Sequence, residues 1–460
     1  MDVKNVGISA IQIYFPKNVV RQDDFEKYCN VAAGKYTVGL GQQEMGFCSD
    51  NEDIVSISLT VTDKLLRDYD IDRNSIGFLA VGSETLIDKS KSVKTELMRL
   101  FPDNTDIEGV DVKNACYGGT QAVFHAIDWV YANYNTERRN AIAVLSDIAV
   151  YEEGSARCTG GVGAIAVLIT PEAPIAFERG LRGIHMTYNW DFYKPICKKV
   201  TEYPLVDGHK SLKCYMDALD NSYSSYKRKA QRLCGIEPSV HDFDALMFHS
   251  PFVKMVQKAV GRMAYSDFLQ GNYQAPEYEQ LKNLAPTTSV DDGDFMKVLL
   301  KAADPLWKEK TEPNIEFNRR IGNMYTSSLF AQLVKYISKG IFSSSSRILF
   351  FAYGSGSASA TFSATVISTH ESLSKMQEVC QRAVKQLDHR DVHSCSSYYD
   401  ALNDREKFLI ADVPYIPRSL SDSRFSFFDN TFFLASIDEL YRRSYSQLNS
   451  IEPNGQCNTV

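Results

Sequence analysis

The sequence predicts an α/β protein assembled from two similar halves, and three features carry the prediction. Short apolar runs rich in β-branched and aromatic residues, bounded by turn residues and too short for helices, alternate with amphipathic helical stretches. The same order of strands and helices occurs twice along the chain, as an internal duplication would give. With 460 residues, 44% of them hydrophobic, the chain is long enough for a large buried core or two halves sharing one interface.

In the first half, residues 1–170, a strand-like stretch begins soon after Asp2. IGFLAVGSE (76–84) reads as a buried strand ending at Glu84, and a helix begins within NACYGGTQAVFHAI (114–127). NAIAVLSD (140–147) and GAIAVLIT (163–170) add two more strands. In the second half, residues 171–460, FDALMFHSP (243–251) is a strand closing at His249, and a helix begins within GNMYTSSLFAQLV (322–334). RILFFAYGSG (347–356) and SATVIST (363–369) follow as strands. On this order Glu84 matches His249, and Cys116 matches Asn323. A polar, charged stretch at about 265–312 reads as helical decoration and loops inserted in the second half, and KPICKKVTEYPLVDGHKS (194–211) as a second insertion. From about residue 400 the chain is charged and aromatic, and FSFFDNTFFLASIDELYRR (425–443) is expected to pack back on the core.

Composition narrows the function classes. A net charge of -7 argues against broad nucleic-acid or anionic-membrane binding, so a polyanionic ligand has to meet a local lysine cluster. The ten cysteines include no C-x-x-C pair and no Cys/His group at zinc spacing, so no metal and no disulfide framework is expected, and reduced thiols in the cytoplasm fit. No apolar run approaches membrane-spanning length, and no signal or transit peptide is recognised. Cys457 to Val460 formally match a prenylation box, but Asn458 and Thr459 are not aliphatic, and a frayed polar tail is the preferred reading.

Cys116 stands just before apolar residues at helical spacing, Ala122, Val123, Ala126, Ile127 and Val130. A thiol at a helix N-terminus meets unpaired N–H groups and the positive end of the macrodipole, which favour the thiolate, and Gly118 and Gly119 are expected to let a substrate approach the backbone. A buried structural thiol is the competing reading. Glu84 and His249 close apolar strands, where layered α/β folds build their sites; a surface carboxylate and a hydrogen-bonded core histidine are the alternatives. Lys254 and Lys258, four residues apart on a helix, present two ammonium groups to one side, either for phosphates or for solvent. Gly354-Ser355-Gly356 follows a strand, either bringing backbone N–H groups to a ligand or making a tight turn.

GKYTVGLGQ, VGSETLIDKSKSVKT, NACYGGT, ERGLRG, FHSPFVKMVQK, GNMYTSSLF and YGSGSAS follow one another along the chain, and the likeness they carry runs in order from about residue 4 to beyond 360. In these strings the sequence resembles the 3-hydroxy-3-methylglutaryl-CoA synthases of the eukaryotic cytosolic kind. The resemblance implies the thiolase fold, a duplicated five-layer α/β/α/β/α arrangement, a homodimer, and no cofactor beyond the coenzyme A thioesters that are substrates. It implies condensation of acetyl-CoA with acetoacetyl-CoA and water on the mevalonate route. Carried over by position, Cys116 takes the acetyl group, Glu84 is the general acid/base for its methyl carbon, and His249 orients and polarises the acetoacetyl-CoA carbonyl. Ala33, Gly34, Lys35, Lys254 and Lys258 fall along coenzyme A, and Thr159, Ser211, Asn323 and Ser355 around the acyl and pantetheine parts. Tyr117, Asp147, Tyr151 and Asp191 are expected to shape the pocket. Ala32, Ser155 and Cys158 depart from the family pattern, where an acidic residue, Asn and Pro are expected.

Two other readings stand beside this one. A decarboxylating ketosynthase of the same fold would use Cys116, His249 and Asn323 without needing Glu84, and carbon dioxide release from a malonyl thioester would favour it. A non-enzymatic scaffold on the same fold would have no need for an intact catalytic set.

Overall fold

The computed structural model describes residues 2–196, 202–281, 292–343, 345–367, 371–420, 425–448 and 458–459. Cys457 and Val460, parts of both insertions and the end of SATVIST therefore lie outside the described residues. Nine strands form one mixed sheet: β1 (Gly7–Tyr14), β2 (Ile76–Gly82), β3 (Asp111–Val112), β4 (Asn140–Ala149), β5 (Gly161–Thr170), β6 (Ile175–Met186), β7 (Ala245–Phe248), β8 (Arg347–Gly354) and β9 (Ala358–Val366). Their order is β7-β8-β9-β6-β1-β5-β4-β2-β3. The two halves of the sheet mirror each other. In one, β2 pairs parallel with β4, and β4, β5 and β1 run antiparallel; in the other, β7 pairs parallel with β8, and β8, β9 and β6 run antiparallel. Gly7 with Ala176 and Ile8 with Ile175 join the halves, between β1 and β6.

The principal helices are α1 (Ile54–Asp68), α2 (Gly118–Glu137), α3 (Gly208–Cys234), α4 (Val253–Leu269), α5 (Gly293–Ala302), α6 (Asp304–Lys310), α7 (Ser328–Lys339) and α8 (Glu371–Gln386). Strand alternation decides how they layer, because successive side chains leave opposite faces of a sheet. Ala141, Ala143 and Leu145 of β4, with Ile348, Phe350 and Ala352 of β8, enter one central core that also takes the apolar residues of α2 and α7. Ile142 and Val144 point the other way, into a core with α1 and with Phe425, Phe432 and Tyr445 of the tail. Leu349, Phe351 and Tyr353 enter a third core with α3 and α4. Outer helices, half-sheet, paired central helices, half-sheet and outer helices are thus the five layers of the thiolase fold.

Two expectations change. The described parts of the stretch at 265–312 hold the end of α4, a 3-10 turn at Pro276–Leu281, α5 and α6, and Tyr278, Phe295, Leu299 and Trp307 are buried parts of the third core, not decoration. The repeat also has a different register at the central helices. Ala115 and Tyr325 both have φ of 42°, and each stands three residues before its helix, α2 at Gly118 and α7 at Ser328. The counterpart of Cys116 is therefore Thr326, not Asn323. Asn323 serves the turn: its Oδ1 accepts from the Tyr325 N–H at 2.8 Å and from Ser328 Oγ at 3.2 Å.

Candidate active site

The N-terminal ends of α2 and α7 meet at the centre of the molecule, and the site is built on that meeting. Gly119 N–H donates to Thr326 Oγ1 at 2.6 Å. A Cβ on Gly119 would lie 1.9 Å from that oxygen and 2.6 Å from Leu145 Cγ. Gly118 would put a Cβ 2.8 Å from the Val112 carbonyl oxygen. These glycines are spent on close packing of protein against protein, not on admitting a substrate to the backbone. Gly354 plays the same part, since its Cβ would lie 2.5 Å from the Tyr117 nitrogen and 2.7 Å from the Asn114 oxygen. The Gly354-Ser355-Gly356 turn is thereby pressed against the loop that carries Cys116.

Cys116 Sγ donates to Glu84 Oε1 at 3.4 Å. Burial pushes the thiol well above its ordinary range, the carboxylates of Glu84 and Asp147 push it further, and Lys194 offsets part of the effect. The resting group is thus a neutral thiol hydrogen-bonded to a carboxylate. The thiolate expected from the helix end is not favoured, because desolvation and two nearby anions outweigh the macrodipole.

Asp147, near the end of β4, fixes the segment after β2. Its Oδ1 accepts from Ser83 Oγ, the Glu84 and Thr85 N–H groups and Thr85 Oγ1 at 2.8–3.0 Å, and its Oδ2 accepts from the Thr326 N–H at 3.2 Å. One buried carboxylate therefore sets the backbone of Glu84 and ties it to the counterpart of Cys116. Burial raises the Asp147 carboxyl, and the Glu84 charge raises it further.

His249 follows β7, with its N–H donating to the Phe351 oxygen at 2.8 Å and its carbonyl accepting from Tyr215 Oη at 2.7 Å. Burial pushes its imidazole down to about 3, so the ring is neutral. It lines a cavity of about 500 Å³ together with Cys116, Tyr151, Thr159, Ser211, Asn323 and Ser355. Since the Asn323 Oδ1 is used within its own turn, its amide N–H groups are what it can offer a ligand. Asp191 is fully buried and joins three walls: Tyr353 Oη donates to it at 2.9 Å, Ser211 Oγ at 3.3 Å and the Gly356 N–H at 2.9 Å.

Other sequence candidates lie outside that cavity. Tyr117 is buried in the central core, its Oη donating to Gln121 Oε1 at 3.1 Å. Ala33, Gly34 and Lys35 form a turn pinned by Glu26, which accepts from the Gly34, Tyr36 and Thr37 N–H groups at 2.7–2.8 Å. The same loop reaches the start of α4, where the Lys254 N–H donates to the Leu40 oxygen at 2.9 Å. The Lys35 turn and the Lys254–Lys258 face are thus joined at the cavity's Leu40 edge. Glu84 faces a second cavity of about 850 Å³, which shares Phe192 and Ser355 with the first.

Sequence reasoning missed Phe192, Lys194 and Tyr325. Tyr325 and Phe192 stack edge-on at 5.8 Å between ring centroids, and the Lys194 Nζ lies 3.6 Å from Glu84 Oε2. The signal for Phe192 and Lys194 was a lone cation in the aromatic string Asp191-Phe192-Tyr193-Lys194, hidden in what read as the edge of an insertion.

The models for the N-terminal and C-terminal parts of hydroxymethylglutaryl-coenzyme A synthase match residues 2–174 and 175–448. A hydroxymethylglutaryl-CoA synthase of Caenorhabditis elegans is 51% identical, covering 99% of this chain and 96% of its own length. The cytoplasmic synthase of Homo sapiens is 42% identical over 96% of this chain and 87% of its own length. The human mitochondrial form is 43% identical, with 96% and 89% covered. Among solved structures, MvaS in complex with 3-hydroxy-3-methylglutaryl coenzyme A superposes with a TM-score of 0.81 at 28% identity, covering 96% of this chain and 99% of that one.

Proposed function

This chain belongs to the hydroxymethylglutaryl-CoA synthase family, and from that premise we propose how its own residues carry the reaction. The protein condenses acetyl-CoA with acetoacetyl-CoA and water, giving (S)-3-hydroxy-3-methylglutaryl-CoA and coenzyme A for the mevalonate route. The observation that carries the proposed chemistry is the Cys116–Glu84 hydrogen bond at 3.4 Å, beside a cavity that also holds His249.

Cys116 attacks the acetyl-CoA carbonyl, and its thiol proton ends on the departing coenzyme A sulfur. A thioester keeps the α-proton more acidic than an oxygen ester does, so Glu84 then removes a proton from the bound methyl group. The resulting enolate carbon attacks the ketone of acetoacetyl-CoA. Neutral His249, as an N–H donor, polarises that carbonyl, and the proton held by Glu84 goes to the new alkoxide. Water finally cleaves the Cys116 thioester, restoring the thiol and freeing the carboxylate of the product. The backbone N–H of Cys116 is placed in the role of donor to the thioester oxygen while the enolate exists.

The same proposal puts coenzyme A phosphates on the Lys35 and Lys254–Lys258 side and the pantetheine arm past Thr159, Ser211, Asn323 and Ser355. It divides the chain near residue 170, treats the enzyme as a cytoplasmic homodimer, and assigns it no cofactor. Names of both cytoplasmic and mitochondrial enzymes occur among the relatives, and no described helix is long and apolar enough to cross a membrane. The test is turnover of acetyl-CoA with acetoacetyl-CoA followed by mass spectrometry of the thioesters. Product formation by the native protein and its loss in Cys116→Ser are expected; undiminished product from Cys116→Ser would overturn the assignment.

A further inference from the structure

We propose that Lys194 is a positioning residue for Glu84, holding the carboxylate oriented for the proton it takes from the Cys116-bound acetyl group. The inference rests on the assignment of Glu84 as the base. Two contacts divide the Glu84 carboxylate between its oxygens. Oε1 accepts from Cys116 Sγ at 3.4 Å, and Oε2 faces the Lys194 Nζ at 3.6 Å. Acetylation of Cys116 removes the thiol proton and so releases Oε1 toward the methyl group. Oε2 stays held.

The pair is shielded from water, with side-chain exposures of 12% for Lys194 and 6% for Glu84, so its attraction is screened less than that of a surface pair. The Lys194 Nζ also sits 4.5 Å from the centroid of the Tyr325 ring and 5.9 Å from that of Phe192, which gives the cation a fixed seat. The loop that delivers it is anchored immediately upstream. Asp191 is held by Tyr353, Ser211 and the Gly356 N–H, and Phe192 and Tyr193 pair with Val206 and Leu205.

The charges around Glu84 explain why a cation is needed. From the α2 turn comes the Cys116 thiol, from β4 and its end come Asp147 and the Tyr151 phenol, and from the α7 turn comes the Tyr325 phenol. Across the larger cavity stand Asp88, Lys89, Lys113 and Glu202. A second buried carboxylate beside Glu84 favours protonation of one of the two, which would disable the base. Lys194 opposes that effect at Glu84. Once Glu84 has taken the α-proton its attraction to Lys194 is lost, so returning that proton to the product alkoxide restores the ion pair. The proton travels from the acetyl carbon to Glu84 to the alkoxide oxygen, and Lys194 exchanges none.

The test compares Lys194→Met and Lys194→Arg with the native enzyme, reading acetylation of Cys116 by peptide mass and the condensation rate across pH. Lys194→Met is expected to keep acetylation, to lose condensation about tenfold or more near neutral pH, and to move the acidic limb of the profile up by about one pH unit. Lys194→Arg is expected to return the limb toward its native position. An unmoved limb in Lys194→Met, an equal loss at every pH, loss of Cys116 acetylation, or failure of Arg to restore the limb would each overturn the role. Glu84→Ala run alongside separates the two assignments. Full condensation by Glu84→Ala rejects Glu84 as the base, whereas its loss beside an unmoved Lys194→Met limb rejects Lys194 alone.

Discussion

A buried imidazole and a half-buried thiol are both held neutral here, and each neutral form suits a particular job. His249 is pushed down to about 3 by burial, so near neutral pH it is a neutral ring that can donate a hydrogen bond and not a cation. Its backbone is fixed on both sides, by Phe351 and Tyr215, which leaves the ring as the variable part. His249→Ala is expected to keep acetylation of Cys116, which needs only the first substrate, and to lose condensation with a raised KM for acetoacetyl-CoA. Steady-state kinetics with each substrate varied in turn checks this; an unchanged KM and rate would remove His249 from the second step. Cys116, Glu84 and His249 stand out as candidates in the sequence because each terminates or precedes an apolar run. Lys194 does not, because its pairing depends on which carboxylate the fold brings within 3.6 Å.

At the scale of elements, the crossing of α2 and α7 holds the site together. Replacing Gly119 by Ala would force a methyl group to within 1.9 Å of Thr326 Oγ1, and both neighbours are locked into buried helix ends. Gly119→Ala is expected to destabilise the protein by about 1–3 kcal/mol, as overpacking a tight core does, and to depress acetylation by moving the Cys116 loop. Urea denaturation followed by circular dichroism measures the first effect; an unchanged midpoint would contradict the packing account.

Among these elements, strands with uniform apolar runs, such as β4 and β8, were legible in sequence because both of their faces are buried. β6 was not picked out, since Glu178, Arg179 and Arg182 interrupt its run. Glu178 is in fact ion-paired with Arg347 of β8 at 2.8 Å, so a charged residue there reports a partner and not a loop. The register of α7 was misread for a related reason: Asn323 resembles a functional polar residue, while the backbone conformation of Tyr325, invisible in sequence, marks the true counterpart of Cys116.

Across the whole molecule, the tail closes over the first half through a buried polar cluster. Tyr14 donates to Glu52, and the Arg405 guanidinium donates to the Ser49 and Glu52 carbonyl oxygens at 2.9 and 2.7 Å while pairing with Glu202. Burial pushes the Glu52 carboxyl up to about 7. Between its ordinary 4.5 and that value the folded state holds a proton that the unfolded chain has released, so this group's contribution to stability falls as pH rises through the window and levels off above it. His249 works in the opposite direction, so the comparison has to be differential. Glu52→Gln keeps an acceptor for Tyr14 and removes the titration; it is expected to lose less stability than the native protein between about pH 5 and about pH 8. Urea midpoints at the two pH values measure it, and identical losses in both proteins would contradict the assignment of the proton to Glu52.

The account stands or falls on Cys116 as the acyl carrier and Glu84 as the group that acts after it. Incubating native protein and Glu84→Ala with acetyl-CoA alone, then mapping peptides by mass, separates the two steps. An acetyl adduct on the Cys116 peptide is expected in both proteins, with condensation on adding acetoacetyl-CoA reduced about 10²- to 10⁴-fold in Glu84→Ala, the range for losing a general base. No adduct, an adduct on another cysteine, or equal condensation by the two proteins would contradict it.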